Sequence, residues 1–292
     1  MKTQPKISVC LATFNEEGNL GPCLDSVKGL AEEIVIVDGT STDRTREIAQ
    51  EFGAKIIVTN NPPIFHINKQ KALEACRGDW ILQLDADERV TPKLVVEIQN
   101  IVEMTNKQIE GYQQSLPDRK LFLRHQDLLA KRDGQIGIST GEFAGFFIPR
   151  SNYFLGKYLR FGGVYPDGVI RLIKNGKAFF PCKSVHEQIA VQGRVGWLQN
   201  SLYHFADTTF KKYLYRNNKY INLIINELKD KRVRKNWPQF LNYCLIKPIW
   251  WFFMTQIRHK GILDGVRGIV FSFFSALRFP RAYWRYLKAN NE

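Results

Sequence analysis

Residues 80–88 read WILQLDADE, a short and largely apolar run that stops at two carboxylates separated by one alanine. An apolar run of strand length that ends in a polar cluster suits a strand buried on both faces, with its carboxyl end open to solvent. Earlier segments repeat the pattern. Ile7–Thr13 (ISVCLAT) leads into the turn FNEEGN, Glu33–Val37 (EIVIV) leads into DGTSTD, and Lys55–Val58 is a further short run. Helical spacing fills the gaps. Leu20, Leu24 and Val27 recur on one face, then Ile48, Ala49 and Phe52 behind an N-cap at Thr42, then Ala72, Leu73 and Ala75. After DADE, Thr91 is an N-cap with Pro92 at the first helical position, and Leu94, Ile98 and Ile101 continue that helix. This alternation predicts an α/β fold, a mostly parallel sheet covered by helices on both faces. Ligands of such sheets bind at the carboxyl ends of the strands, where FNEEGN, DGTSTD and DADE all fall.

Beyond this frame, residues 105–140 read as an inserted helix and loop, with Leu121, Leu128 and Leu129 in helical register. Val169–Ile173 and Ala178–Phe180 are strand-like, within a stretch rich in glycine and aromatic residues. From Thr208 the pattern is helical, with Tyr213, Tyr220, Ile224 and Leu228 along one side. The chain therefore divides into an α/β domain, 1–205, and a helical region, 206–292.

Charge follows the same division. The 292 residues carry a net +14; residues 1–205 hold 25 basic and 23 acidic side chains (+2), and residues 206–292 hold 17 and 5 (+12). Residues 237–292 also hold 14 of the 37 Phe, Trp and Tyr residues, so the cationic region is the aromatic one. Met1–Lys6 runs straight into Ile7–Ala12, which is too short and wrongly flanked for a signal peptide. The longest charge-free apolar runs of the tail, Pro248–Ile257 and Gly268–Leu277, fall well short of the roughly 20 residues of a membrane span. The five cysteines are scattered without a CxxC pair, which argues against a disulfide framework or a cysteine zinc site and suits a reducing compartment.

Asp85 and Asp87 can share a divalent cation with substrate phosphates, the usual manner of Mg²⁺. No GxGxxG follows the first strand and no GxxxxGK[ST] occurs, so a dinucleotide fingerprint and a P-loop are both excluded. Asp38, after the second strand, suits either a ribose or base contact or a turn cap. Lys69 and Lys71 precede the Asp85 strand, and each suits either a diphosphate or plain solvent.

SVCLATFNEEGNL, EIVIVDGTSTDRT and KALEACRGDWILQLDADE resemble the family 2 glycosyltransferases, which have the GT-A fold. FLGKYLRFGGVYPDGVIRLIKNGKAFF, SVHEQIAVQG, LYHF and GILDGVRG, in that order, resemble the bacterial lipopolysaccharide core glucosyltransferases and their relatives. The resemblance covers most of the chain outside about 105–140. It implies that Thr13, Asn15 and Glu16 form the first nucleotide-contacting turn, although Phe14 stands where many members have Tyr. It implies that Asp38 holds the uracil ring, that Lys69 lies near the nucleotide, and that Asp85 contacts ribose or metal. Asp87 would ligate the metal and His186 would complete its site, which favours Mn²⁺ over Mg²⁺. The general base that deprotonates the acceptor falls in GGVYPDGVIRL, where Asp167 stands alone in place of the Glu-Asp pair of many relatives. Glu187 is its rival and Glu142 a more distant one. Arg171 suits either a phosphate or a structural ion pair.

The resemblance therefore implies a metal-dependent inverting transfer of a glucose-like hexose from a nucleotide diphosphate sugar, a UDP derivative, to a glycolipid or lipid-linked saccharide. The basic aromatic tail adds a partner of its own. Its two apolar stretches, flanked by Arg and Lys, suit helices lying in the interface of an anionic membrane, which places the enzyme in the cytoplasm, peripheral on the inner face of the cell membrane. Nucleic acid is excluded as a partner, because the paired Phe-Phe and Trp-Trp residues do not make spaced stacking platforms. Two other classes fit the sequence less well. A nucleotidylyltransferase on a similar sheet needs a basic first loop, which FNEEGN lacks. A non-catalytic membrane-surface module leaves the DAD, HE and YPD elements without a role.

Overall fold

The structure, a computed structural model, describes residues 5–183 and 188–289. Strands β1 (Ile7–Thr13), β2 (Glu33–Asp38), β3 (Lys55–Val58) and β4 (Trp80–Leu84) alternate with helices α1 (Glu17–Asp25), α2 (Thr45–Glu51) and α3 (His66–Glu74). A short β5 (Glu88–Val90) leads into α4 (Pro92–Glu103), α5 (Asn106–Ser115) and α6 (Arg119–Asp133). Then come β6 (Phe143–Ile148), β7 (Arg150–Phe154), β8 (Lys157–Leu159), β9 (Val169–Lys174), β10 (Ala178–Phe179), β11 (Ala190–Val191), β12 (Arg194–Trp197) and β13 (Leu202–Asp207).

One sheet runs in the order β12-β6-β9-β4-β1-β2-β3. β3, β2, β1 and β4 are mutually parallel, β9 is antiparallel to both β4 and β6, and β6 is parallel to β12. The sheet is thus mixed and mostly parallel. Every residue of β4 is buried, as its apolar run requires. The core joins Val9, Leu11 and Leu82 of the sheet to Leu20 and Leu24 of α1 and to Leu94, Ile98 and Ile101 of α4. Thr91 caps α4 through its side chain, which accepts from the Leu94 N–H.

Local readings fail where a helix start or face depends on packing. α2 begins at Thr45 rather than at the Thr42 cap, because Asp43 takes over the first turn and accepts from the Thr45 N–H and hydroxyl. Residues 105–140 form two helices, and the buried face of α6 is Phe122 and Leu129, while Leu121 and Leu128 are exposed.

The chain divides into two compact units, Met1–Arg150 with Pro166–His204, and Ser151–Tyr165 with Phe205–Glu292. In the second, α7 (Phe210–Asp230) starts at a Thr209 cap and buries Tyr213, Asn217, Ile221 and Leu228; Tyr220 is exposed. α8 (Trp237–Leu241) continues through a π-helical turn at Asn242–Ile246 into α9 (Lys247–Phe253) and a second π turn at Met254–Arg258. A 3₁₀ turn at Gly261–Asp264 precedes α10 (Val266–Ala276) and α11 (Arg278–Lys288). Among the described residues no helix is long and apolar enough to cross a membrane.

Candidate active site

The first two strand-end turns are stitched together. The Thr13 hydroxyl donates to Asp38 Oδ1 (3.2 Å), and the Ser41 hydroxyl and N–H donate to Oδ1 (2.6 Å) and Oδ2 (2.8 Å). Asn15 takes a left-handed φ of 55°, a conformation that Asn tolerates better than most residues. From there its N–H donates to Ser41 Oγ (2.9 Å) and its Oδ1 accepts from the Thr42 N–H (2.9 Å). Asp38 is fully buried and its carboxylate is engaged by these donors, so here it caps and cross-links turns. Asn15 does the same work.

The stitched turns shape one wall of a cleft of about 310 Å³ lined by Thr13, Phe14, Glu16, Asn68, Lys69, Asp85, Asp87 and His204. That volume is at the lower end of small-ligand sites. Asp38 and Asn15 do not line it. Lys71 turns away and donates to Thr59 Oγ1 (2.8 Å).

A chain of ion pairs crosses the cleft floor. Asp85 Oδ1 lies 2.5 Å from Lys69 Nζ, and Oδ2 lies 2.5 Å from Arg171 Nη2. Arg171 Nη2 also donates to Glu88 Oε1 (2.8 Å), and Nη1 donates to Gln83. Glu88 in turn faces Arg150 Nη1 (3.6 Å), and Arg150 Nη2 pairs with Asp167 Oδ2 (2.9 Å). Burial works to raise the Asp85 carboxyl, but Arg171 and Lys69 outweigh it and hold the group well below the ordinary carboxylate range. Burial lowers the Lys69 ammonium in spite of Asp85. Lys69, Arg171 and Arg150 balance Asp85, Glu88 and Asp167 charge for charge. Arg171 is therefore the structural ion-pair partner rather than a free phosphate ligand.

Asp87 stands outside that balance. Its Oδ2 lies 3.4 Å from His204 Nε2. Burial pushes its carboxyl up, but the His204 hydrogen bond and charge more than offset this, so it is held below the ordinary range. The pairing follows from register: β13 runs antiparallel to β5 and sets His204 opposite Glu88, one residue beyond Asp87. Among the described residues no group of three His, Cys, Asp or Glu side chains is placed to hold a metal ion. Asp87 and His204 nevertheless offer an oxygen and a nitrogen donor side by side. Such a pair fits Mn²⁺ or Mg²⁺ when phosphate oxygens and water fill the other positions. Asp85 has one oxygen on Lys69 and the other on Arg171.

The antiparallel β9 brings Asp167 to the same edge of the sheet. With Leu172 paired to Leu82 and Ile173 to Ile81, the start of β9 lies at the carboxyl end of β4, and Asp167 stands two residues before it. Asp167 has φ 39° and is about one-third exposed. Its turn is gripped from several sides. Arg150 N–H donates to Pro166 O (2.8 Å), Arg150 Nε donates to Asp167 O (3.3 Å), and Gly168 N–H donates to His125 Nε2 (3.1 Å). A Cβ on Gly168 would sit 2.2 Å from the Trp197 ring. That ring stacks between Phe122 and Phe147, each at 4.6 Å, and its Nε1–H donates to Gln126 (3.0 Å). α6 thus supplies Phe122, His125 and Gln126 to hold the turn that carries Asp167, which gives a role to the inserted segment.

Glu142 is removed as a candidate base. It precedes β6, which is parallel to β4 through β9, so it lies at the opposite end of the sheet, paired with Lys174 (2.7 Å). His186 and Glu187 lie outside the described residues. His204, Glu88, Arg150 and His125 were not picked out by sequence. The available signal for His204 was its place two residues after Leu202 in a strand-like run, on the same buried side.

The sequence profile of glycosyl transferase family 2 matches residues 8–162, and the chain belongs to that family. An uncharacterized glycosyltransferase of Rickettsia conorii is 27% identical over 98% of this chain and 93% of its own length. The lipopolysaccharide core biosynthesis glycosyltransferase LpsC of Rhizobium meliloti is 28% identical over 93% of this chain and 91% of its own. Among solved structures, glucosyl-3-phosphoglycerate synthase of Mycobacterium tuberculosis with Mn²⁺, UDP-glucose and phosphoglyceric acid is 27% identical, with a TM-score of 0.27 over 29% of this chain and 34% of that one, an overlap too small to bear on the fold. The chain is a family 2 glycosyltransferase.

Proposed function

We propose that this glycosyltransferase moves a glucose-like hexose from a UDP-sugar, with inversion, to a lipid-linked saccharide of the lipopolysaccharide core type at the cytoplasmic face of the cell membrane. The observation that carries the reading is the pairing of Asp87 with His204 in the cleft, at the strand-end edge of the sheet where Asp167 also lies. The full-length similarity to LpsC supports the choice of acceptor.

Thr13, Glu16 and Lys69 line the space for the nucleoside diphosphate. Asp38 and Asn15 act one step back by fixing the two turns. Asp85 pins Lys69 and Arg171 so that their charges stay at the floor. Asp87 and His204 would hold Mn²⁺ or Mg²⁺, which when bound supplies Lewis-acid stabilisation of the departing diphosphate. Asp167 takes the proton of the acceptor hydroxyl as that oxygen forms its bond to the anomeric carbon and the bond to the diphosphate breaks. Arg150 orients the Asp167 carboxylate for that transfer through its 2.9 Å ion pair. Glu187 is the rival base.

Asp87→Ala should reduce transfer about a thousandfold or more, on the scale of removing a main electrostatic contributor, while circular dichroism and thermal unfolding stay close to the parent. Normal transfer in that variant would exclude the metal role.

A further inference from the structure

In Leu245–Ala276 polar side chains take interior places while large apolar ones stand exposed. Thr255, Gln256, Ser272 and Ser275 are buried. Gln256 Nε2 donates to Ser272 Oγ (2.6 Å) and to Gly268 O (3.0 Å), which ties the two arms of a helical hairpin through polar contacts. Gly261 and Gly268 allow the arms to close, since a Cβ on Gly268 would lie 2.2 Å from Gly261 O. Val270, Phe271 and Phe274 pack inward, but a second set of apolar residues faces outward. Ile246, Ile249, Trp250, Phe253 and Ile257 recur at helical spacing along the first arm, and Ile262, Val266, Ile269 and Phe273 along the second; Ile257 is 69% exposed and Val266 73%.

A contiguous exposed apolar stripe on each arm marks a surface that meets another phase or partner. Charge decides which. Asp264 is the one acid between Leu245 and Ala276, and it is buried, accepting from the Arg160 and Phe161 N–H groups. Arg258, Lys260 and Arg267 are exposed among the apolar residues. A second copy docked through this face would set those cations against their own copies. A leaflet containing anionic lipid instead offers acyl chains to the stripe and phosphates to the cations, whose stems can snorkel.

We infer that the outward face of this hairpin inserts shallowly into an anionic membrane leaflet, with the apolar stripe supplying the hold and the cations selecting the lipid. This deepens the proposed membrane-borne acceptor and rests on that reading for its purpose, although the binding assay requires neither donor nor acceptor. Charge alone predicts attachment that salt abolishes; an inserted stripe predicts attachment that survives it.

The full chain should therefore co-sediment with phosphatidylcholine/phosphatidylglycerol vesicles and stay bound in 0.5 M NaCl. Ile249→Glu/Ile257→Glu should lower the partition coefficient about tenfold or more, as expected when burial of two large apolar groups is lost. Its thermal unfolding and Mn²⁺-dependent UDP binding should match the parent. Ile257→Ser alone, the milder change, should give a smaller loss in the same direction. Full release by salt, unchanged binding of the double variant, or a parent dimer that the double variant converts to monomer would each overturn the inference. Failure of UDP binding in the parent would strike the glycosyl-transfer reading and leave the lipid result standing.

Discussion

Glu88 and Ile257 stand at opposite extremes. In the first unit a fully buried carboxylate sits between Arg171 and Arg150. In the second unit an isoleucine stands 69% exposed while the neighbouring Gln256 is buried. Both break the common rule that apolar groups go in and charges stay out. The first exception is affordable because each buried charge finds a counter-charge, since an unpaired one would carry a large desolvation penalty. The second has no compensation in water, and this is why it points to a non-aqueous phase. A buried charge speaks to chemistry at a site, and an exposed apolar stripe speaks to location.

That contrast can be broken in four places. Arg171→Met leaves the buried Glu88 and the half-buried Asp85 without their guanidinium, and urea unfolding should show a loss of about 3–5 kcal/mol; a stable variant would mean that the ion chain is dispensable. Gln256→Ala strips the hairpin of its internal polar tie and should cost about 1–3 kcal/mol, because Gly268 O and Ser272 Oγ lose their donor. His125→Ala loosens the Asp167 turn without touching the nucleotide side. Steady-state kinetics should show kcat reduced about tenfold and the donor KM unchanged, a modest case of misplacing a reacting group. Ile257→Ser should be the mildest in solution, within about 0.5 kcal/mol of the parent by thermal unfolding. A large loss there would mean that the side chain is packed in the isolated protein and that the contrast between the units is false.

Strand-end chemistry was largely legible before folding was considered. Ile7–Thr13, Lys55–Val58 and Trp80–Leu84 have the expected bounds, and Asp85, Asp87, Lys69, Thr13 and Glu16 do line one cleft. The roles shifted on closer view. Asp38 and Asn15 turned out to bind the turns to each other, since a short polar side chain beside a strand end finds backbone donors first. Leu121 and Leu128 satisfied a helical period, yet Phe122 is the residue that meets Trp197. A rotation of one position, about 100°, lies below what spacing resolves in a polar helix.

A run such as WILQL carries its own instruction, because burial of both faces and a polar stop depend only on neighbours in sequence. The charge split between 1–205 and 206–292 is likewise a property of the chain and needs no fold. The meeting of His204 with Asp87, of Arg150 with Asp167 and of His125 with Gly168 belongs to another kind of information. Each depends on the register of β13 on β5, the antiparallel insertion of β9 and the seating of α6. The sorting of side chains in the hairpin at 245–276 is of the same kind. Periodicity marks an apolar face on each arm, but which face turns inward was set by Gln256, Ser272 and the close approach of Gly261 and Gly268, since polar groups that satisfy one another can occupy an interior from which apolar ones have been displaced.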